Sequence, residues 1–114
     1  MNHIDHTAVK QAVYEIVRMI PRGRATSYGA IAKAIGYPNQ SRLVGRIMSQ
    51  AANESEAVPA HRVVNSQGIL SAKAAFGPTN QMHQLLEAEG ITIINDKIQH
   101  WKKVFWNPLD EILL

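Results

Sequence analysis

Two interruptions divide the first half of the chain into three segments of helical length, and they restrict its fold more than any other feature. Pro21-Arg22-Gly23 ends the first segment, and Gly36-Tyr37-Pro38-Asn39 separates the second from the third. Proline lacks the amide hydrogen that a helix needs, and glycine readily adopts the positive φ at which helices end. Two short helices joined by such a turn are typical of a helix-turn-helix.

Apolar residues recur at helical spacing within each segment. They predict helices over residues 8–20, from Ser27 to Ile35, and over residues 40–51, with the Ser27 hydroxyl as a cap. The 114 residues are 46% apolar, which is enough for one core, while the length leaves no room for a second full domain. We therefore expect a single domain that spans residues 1–114.

The third predicted helix has two unlike faces when its residues are projected at about 100° per residue. Its apolar face consists of Leu43, Val44, Ile47 and Met48. Its opposite face consists of Arg42, Gly45, Arg46 and Ser49. Glycine inside a helix costs about 1 kcal/mol relative to alanine, so we expect Gly45 to permit close approach of the backbone to a partner.

Charge is distributed unevenly along the chain, although the net charge is only +3. No acidic residue lies between Ile16 and Asn53, and the basic residues of this span are Arg18, Arg22, Arg24, Lys33, Arg42 and Arg46. A segment with charge of one sign and helical apolar periodicity fits a surface that binds a polyanion. A solvated basic surface is the alternative that composition leaves open.

Shorter elements are predicted in the second half of the chain. Val63-Val64, a four-residue turn and Ile69-Leu70 predict a β-hairpin that would form a wing. A helix is predicted over residues 81–88 with Gly90 as its stop, loops over 53–57 and 73–79, and a strand near 91–94. The predicted fold class is mainly α with a small β-hairpin, a winged helix-turn-helix DNA-binding domain.

One hexapeptide carries a family resemblance. Pro59-Ala60-His61-Arg62-Val63-Val64 resembles the active-site signature of the O6-alkylguanine-DNA alkyltransferases, Pro-Cys-His-Arg-Val-Val, with alanine at the position of the nucleophilic cysteine. Further motifs match in order: Pro21-x-Gly23, Thr26-Ser27-Tyr28-Gly29-x-Ile31-Ala32, Ser41-Arg42-x-Val44-Gly45 and Leu85-Leu86-x-x-Glu89-Gly90. The resemblance covers residues 9–90, leaves 91–114 as a C-terminal extension, and points to the alkyltransferase-like members in which the cysteine is replaced.

The resemblance implies a monomer that docks its recognition helix in the minor groove of double-stranded DNA and rotates an O6-alkylguanine into a pocket. It also implies that the lesion is presented to nucleotide excision repair proteins. Arg42 matches the arginine that fills the gap in the base stack, and Tyr28 matches the tyrosine that crowds the adjacent phosphate. The polar N-terminus and short apolar stretches lead us to expect a cytoplasmic, nucleoid-associated protein that enters no membrane.

Two further sets of residues are predicted to contact DNA. Short polar side chains and glycine let a helix approach sugars and phosphates, and the groove and backbone contacts predicted on this basis are Gln40, Ser41, Gly45, Arg46 and Ser49. The residues predicted to line the lesion pocket are Tyr28, Met48, Pro59, Ala60 and Val63, together with residues 71–76. Structural roles or a diffuse electrostatic contribution are predicted for Arg22, Arg24 and Arg62.

No catalytic residue is predicted. His61 and Glu89 match the family's relay, which deprotonates a cysteine, but the methyl group of Ala60 offers no nucleophile, so we interpret them as a vestigial, structural pair. The chain contains no cysteine, and its histidines show no clustered ligand spacing, so we expect neither a metal site nor a cofactor. The small Ala60 side chain also leads us to expect a pocket that accepts adducts bulkier than methyl.

Two rival functions remain open at this point. A winged-helix transcription regulator would read unmodified DNA through base edges in the major groove. An enzyme would transfer the alkyl group to another side chain, or would hydrolyse it with water activated by His61. Preference for a lesion and covalent change of protein or DNA separate the three hypotheses.

Overall fold

The computed structural model describes residues 6–51, 58–71 and 81–112 of the chain. Its six helices are α1 (His6–Met19), α2 (Tyr28–Ala34), α3 (Ser41–Ala51), α4 (Gln81–Ala88), α5 (Trp101–Val104) and α6 (Pro108–Ile112). Its short strands are β1 (Thr26–Ser27), β2 (Val63–Val64), β3 (Ile93–Ile94) and β4 (Lys97–Ile98), and a single 3₁₀ turn occupies Ala60–Arg62. The four helices predicted from apolar periodicity are confirmed to within two residues at each end.

The turn between α2 and α3 is fixed by local hydrogen bonds. Ser27 begins α2, because its Oγ accepts a hydrogen bond from the backbone N–H of Ala30 at 3.1 Å. At the other end, Gly36 has φ +88°, and the Tyr37 N–H donates to the Ala32 carbonyl at 2.9 Å. This glycine-terminated cap redirects the chain into α3, and the predicted stop at Gly36 is confirmed.

The first three helices bury their apolar faces in one cluster. Val13, Val17, Ile31 and Val44 have no exposed surface. All four residues of the predicted apolar face of α3 are buried as well. Close packing of these faces, together with Val63 and Trp106, stabilises the helix-turn-helix and leaves the opposite face of α3 outward.

The hairpin predicted over residues 63–70 is wrong in its pairing. Val63 and Val64 instead pair in parallel with Thr26 and Ser27. Both valines are fully buried, and two consecutive buried residues fit a strand that is covered on both faces, not a hairpin with one face in water. The turn itself is present, since the Asn65 N–H donates to the Ile69 carbonyl at 3.1 Å, but Ile69 then bridges to Lys97.

The antiparallel hairpin lies further along the chain, where β3 pairs with β4. The mainly helical fold class with a small β-hairpin is thus confirmed, with the hairpin at a different place.

The C-terminal residues also complete the core, because the Ala25 N–H donates to the Val104 carbonyl and the Trp106 N–H donates to the Ala25 carbonyl at 2.7 Å. The predicted loops, residues 53–57 and 73–79, lie outside the described residues. No helix in the described ranges is long and apolar enough to cross a membrane.

Candidate nucleic-acid interface

The outward face of α3 carries most of the residues predicted to contact DNA. Ser41, Arg42 and Arg46 are exposed, and Gln40, Gly45 and Ser49 are half-buried. Arg42 and Arg46 are one helical turn apart, with Gly45 on the same face between them. Across the described ranges, neither arginine has a carboxylate within ion-pair distance. The face therefore presents two unneutralised positive charges around a stretch of bare backbone.

Gly45 is not required by packing inside the domain. A Cβ built on it would lie 3.9 Å from Cδ1 and 4.0 Å from Cγ of Tyr28, which is ordinary van der Waals contact. Alanine would therefore fit, and it would favour the helix. Packing inside the domain therefore does not explain glycine at this position, and the outward face of α3 has an unobstructed backbone there.

Tyr28, the first residue of α2, is half-buried beside this face. It lines a cavity of about 270 Å³ with Gly29, Ser41, Asn65 and Ser66. The Ser71 hydroxyl makes a long, weak contact of 3.4 Å with the phenol oxygen. Burial raises the pKa of Tyr28 and the Ser71 contact partly offsets it, so the phenol stays protonated and can donate a hydrogen bond to a phosphate or base.

Three of the predicted lesion-pocket residues lie in the core. Met48, Ala60 and Val63 belong to the same buried cluster, and Ala60 retains 7% of its surface. Pro59 and Tyr28 are half-buried. Of the predicted stretch 71–76 only the exposed Ser71 is described, and residues 72–76 lie outside the described ranges. The contacts of these residues with a base stay predictions.

Glu89 connects three parts of the chain next to Ala60. Its carboxylate lies 2.6 Å from Nε2 of His61 and accepts hydrogen bonds from Nε of Arg62 at 3.0 and 3.1 Å. It also accepts the backbone N–H of Gly23 at 2.8 Å, a contact that the sequence did not predict. The side chain of Glu89 is only 3% exposed. The pair of His61 and Glu89 thus belongs to a larger network that holds the end of α4 against the 3₁₀ turn.

The network keeps Glu89 ionised. Burial alone would raise its pKa, but hydrogen bonds from Arg62, Gly23 and His61, with the charge of His61, outweigh burial and lower the pKa from 4.5 to about 2. The carboxylate can therefore orient His61 at neutral pH. The neighbouring residue along the turn is Ala60, whose side chain has no proton for His61 to remove.

Three arginines outside α3 stabilise the fold. Arg62 also donates from Nη1 to the carbonyl of Ile20 at 2.9 Å. Arg22 donates to the Ala88 carbonyl, and Arg24 donates to the carbonyls of Val104 and Phe105. The structural roles predicted for these arginines are confirmed. In the described part of the chain, no three histidine or carboxylate side chains come together as they would around a metal ion.

One protein family matches this chain over most of its length. The family model for the 6-O-methylguanine DNA methyltransferase DNA-binding domain matches residues 8–91, which is more than half of the chain. The chain belongs to this family.

Relatives of this methyltransferase family match nearly the whole fold. Alkyltransferase-like protein 1 of Schizosaccharomyces pombe is 34% identical over 100 residues, covering 84% of this chain and 92% of the relative. A DNA base-flipping protein of Vibrio parahaemolyticus is 35% identical over 96 residues, covering 84% and 93%. A crystal structure of S. pombe Atl1 with damaged DNA containing O6-carboxymethylguanine matches with a TM-score of 0.79 and 29% identity, covering 95% of this chain and 100% of that chain. The helix-turn-helix fold is confirmed by this likeness.

Proposed function

We propose that this protein binds duplex DNA containing O6-alkylguanine, extrudes the modified nucleotide and holds it without covalent repair. One observation carries the proposal: Glu89, His61 and Arg62 form an intact network beside residue 60, yet residue 60 is an alanine. The residues that would activate a nucleophile are retained where there is no nucleophile to activate. The damaged DNA in the S. pombe Atl1 structure and the base-flipping relative support the same function.

The proposed mechanism assigns a physical role to each part of the interface. The bare backbone at Gly45 lets α3 sit deep in the minor groove, and Arg42 enters the base stack as the nucleotide leaves. Extruding a base costs a few kcal/mol, and least where pairing is already weakened, as it is at O6-alkylguanine. The weaker pairing makes the lesion the preferred site, and Tyr28 and Pro59 would contact the extruded nucleotide.

Binding without covalent repair has consequences for what happens to the lesion afterwards. A protein that cannot remove the alkyl group releases the lesion unchanged, so we propose that it marks the site for nucleotide excision repair proteins. Alanine is smaller than cysteine or tryptophan, and we propose that residue 60 therefore allows adducts larger than methyl to be accepted. Affinity on matched oligonucleotides should therefore rise from O6-methylguanine to bulkier O6-alkylguanines, and equal or falling affinity would contradict this size argument.

Matched titrations test the function. Fluorescence anisotropy on one duplex with and without a single O6-methylguanine should show tighter binding to the lesion. Arg42→Ala should remove that preference, whereas Arg46→Ala should weaken both duplexes alike, because a phosphate contact carries no information about the base. Equal wild-type affinity for both duplexes would instead indicate a regulator of unmodified DNA.

Mass spectrometry of the protein and the DNA after incubation tests the absence of covalent chemistry. Both masses should be unchanged. Alkyl on the protein, or guanine restored in the DNA, would identify the chain as an enzyme and contradict the proposal.

A further inference from the structure

Three neighbouring cavities, linked by shared lining residues, form a path that begins at the start of α3. The cavity at Tyr28 and Ser41 shares Gly29 and Ser66 with a second cavity of about 360 Å³, which Lys33 and Trp101 also line. The second shares Trp101 with a shallow cavity of about 520 Å³. The shallow cavity is bordered by a cluster that we call the Trp101 patch: Lys97, His100, Trp101, Lys102 and Lys103.

Positive charge lies mainly at the end of the path that the Trp101 patch borders, and the cavity at Tyr28 and Ser41 is lined by uncharged residues alone. Four lysines and one histidine line the three cavities, and no aspartate or glutamate lines any of them. Lys97, Lys102 and Lys103 are exposed. Within residues 6–51, 58–71 and 81–112, none of these three lysines forms an ion pair with a carboxylate. Their charge is therefore available to a polyanion.

Trp101 is held in place at the junction of two cavities. Its indole N–H donates to the Ser66 carbonyl at 3.2 Å, and its ring lies 5.3 Å from the ring of Phe105. The ring also lies against Gly68, where a Cβ would come within 3.1 Å of it. The lysines thus line a cavity together with an aromatic ring that these contacts hold next to the turn at residues 65–68.

Gly29 is a second, independent sign of close approach. It lies in the first turn of α2, and a Cβ built on it would meet nothing within 4 Å. Packing inside the domain therefore does not require glycine at this position. Because Gly29 lines both of the first two cavities, the least obstructed backbone of α2 lies on the path between α3 and the Trp101 patch.

We propose that the Trp101 patch is a second DNA-binding surface, which contacts backbone phosphates of the duplex on one side of the lesion. The inference rests on the proposed function for the position of the lesion at α3. Lysine contacts with phosphates displace condensed counterions, which gives such contacts a measurable salt dependence. The longest dimension of the domain, 43 Å, corresponds to about 13 base pairs at ~3.4 Å each, so the flanking duplex can span the distance.

The position of a lesion within duplexes of equal length tests the proposal. Three duplexes of roughly 21 base pairs carry the lesion at the centre or about four base pairs from either end, so they share one total charge. At ~50 mM salt, Lys102→Gln with Lys103→Gln should lower affinity by more than about tenfold for the centred lesion and for one end placement, but not for the other. Lys10→Glu on α1 removes the same two units of charge at a residue that lines none of the three cavities, and it should show no dependence on lesion position.

Salt dependence gives a readout that does not need the lesion. Loss of two phosphate contacts should reduce the slope of log affinity against log salt by about 1.8, so that the deficit of the double variant shrinks roughly tenfold between ~50 and ~200 mM salt. An unchanged slope on unmodified duplex, or an equal loss on all three lesion duplexes, would overturn the inference. Absence of any lesion preference with a reduced slope would instead refute the proposed function and leave the Trp101 patch as a DNA-binding surface.

Discussion

Replacing Gly45 with alanine should have opposite effects on stability and on DNA binding. In the interior of a helix, alanine is more favourable than glycine by about 1 kcal/mol. The new Cβ would meet Tyr28 at 3.9 and 4.0 Å, so no clash offsets this gain. The free energy of unfolding should rise by about 1 kcal/mol, which corresponds to a Tm increase of roughly 4 °C for a chain of this size. The same methyl group would stand on the face that approaches DNA, and affinity should fall about tenfold, or ~1.4 kcal/mol.

Urea unfolding and anisotropy titration measure the two effects on the same preparation. Gly36→Ala is the matched control, because it makes the same chemical change in the same helix-turn-helix at φ +88°. Alanine is strained there by about 1 kcal/mol or more, so this variant should lose stability while its folded form keeps its DNA affinity. A less stable Gly45→Ala variant, or a more stable one that binds DNA as tightly as wild type, would refute the reasoning.

Three further changes follow from the site. Glu89→Gln should lower the free energy of unfolding by up to about 3 kcal/mol at pH 7, because the pKa of Glu89 is held near 2 instead of 4.5. A lowered folded-state pKa gives stability that is present above about pH 4.5 and is lost toward pH 2. The urea midpoints of wild type and variant should therefore converge in acid. A constant difference between the two midpoints at every pH would contradict this. Tyr28→Phe keeps the ring beside Gly45 and loses only the weak Ser71 contact. The free energy of unfolding should therefore change by less than about 0.5 kcal/mol, while lesion binding weakens. A variant with full affinity would show that the phenol hydroxyl does not contribute to binding. Ala60→Cys places a thiol next to His61 and should yield an alkylated protein by mass spectrometry, whereas tight binding without an adduct would show that the lesion is held away from residue 60.

Local signals explain which parts of the fold the sequence predicts. Ser27, Gly36 and Gly90 mark helix ends through contacts with residues a few positions away, so the helix bounds are predicted closely. The partner of Val63-Val64 lies far earlier in the chain, at Thr26-Ser27, and no local pattern specifies such a parallel pairing. The run of two valines favoured a strand, while the turn residues after it suggested the wrong partner.

The candidate site likewise has parts that the sequence predicts and parts that only the tertiary structure shows. Projection of α3 separates its outward and buried faces, because both follow from helical periodicity. The amide of Gly23 at Glu89 needs the end of α1 to meet the end of α4, which only the tertiary structure shows. The Trp101 patch was missed because its lysines are spread over a strand and a short helix, and folding against the turn at residues 65–68 brings Gln67 beside them.

A crystal structure of this protein bound to a duplex with one O6-methylguanine tests the central claim most directly. The modified guanine should lie outside the helix near Tyr28 and Pro59, with the Arg42 side chain inside the base stack. A guanine still paired and stacked in the duplex, with Arg42 on the phosphates, would contradict the account.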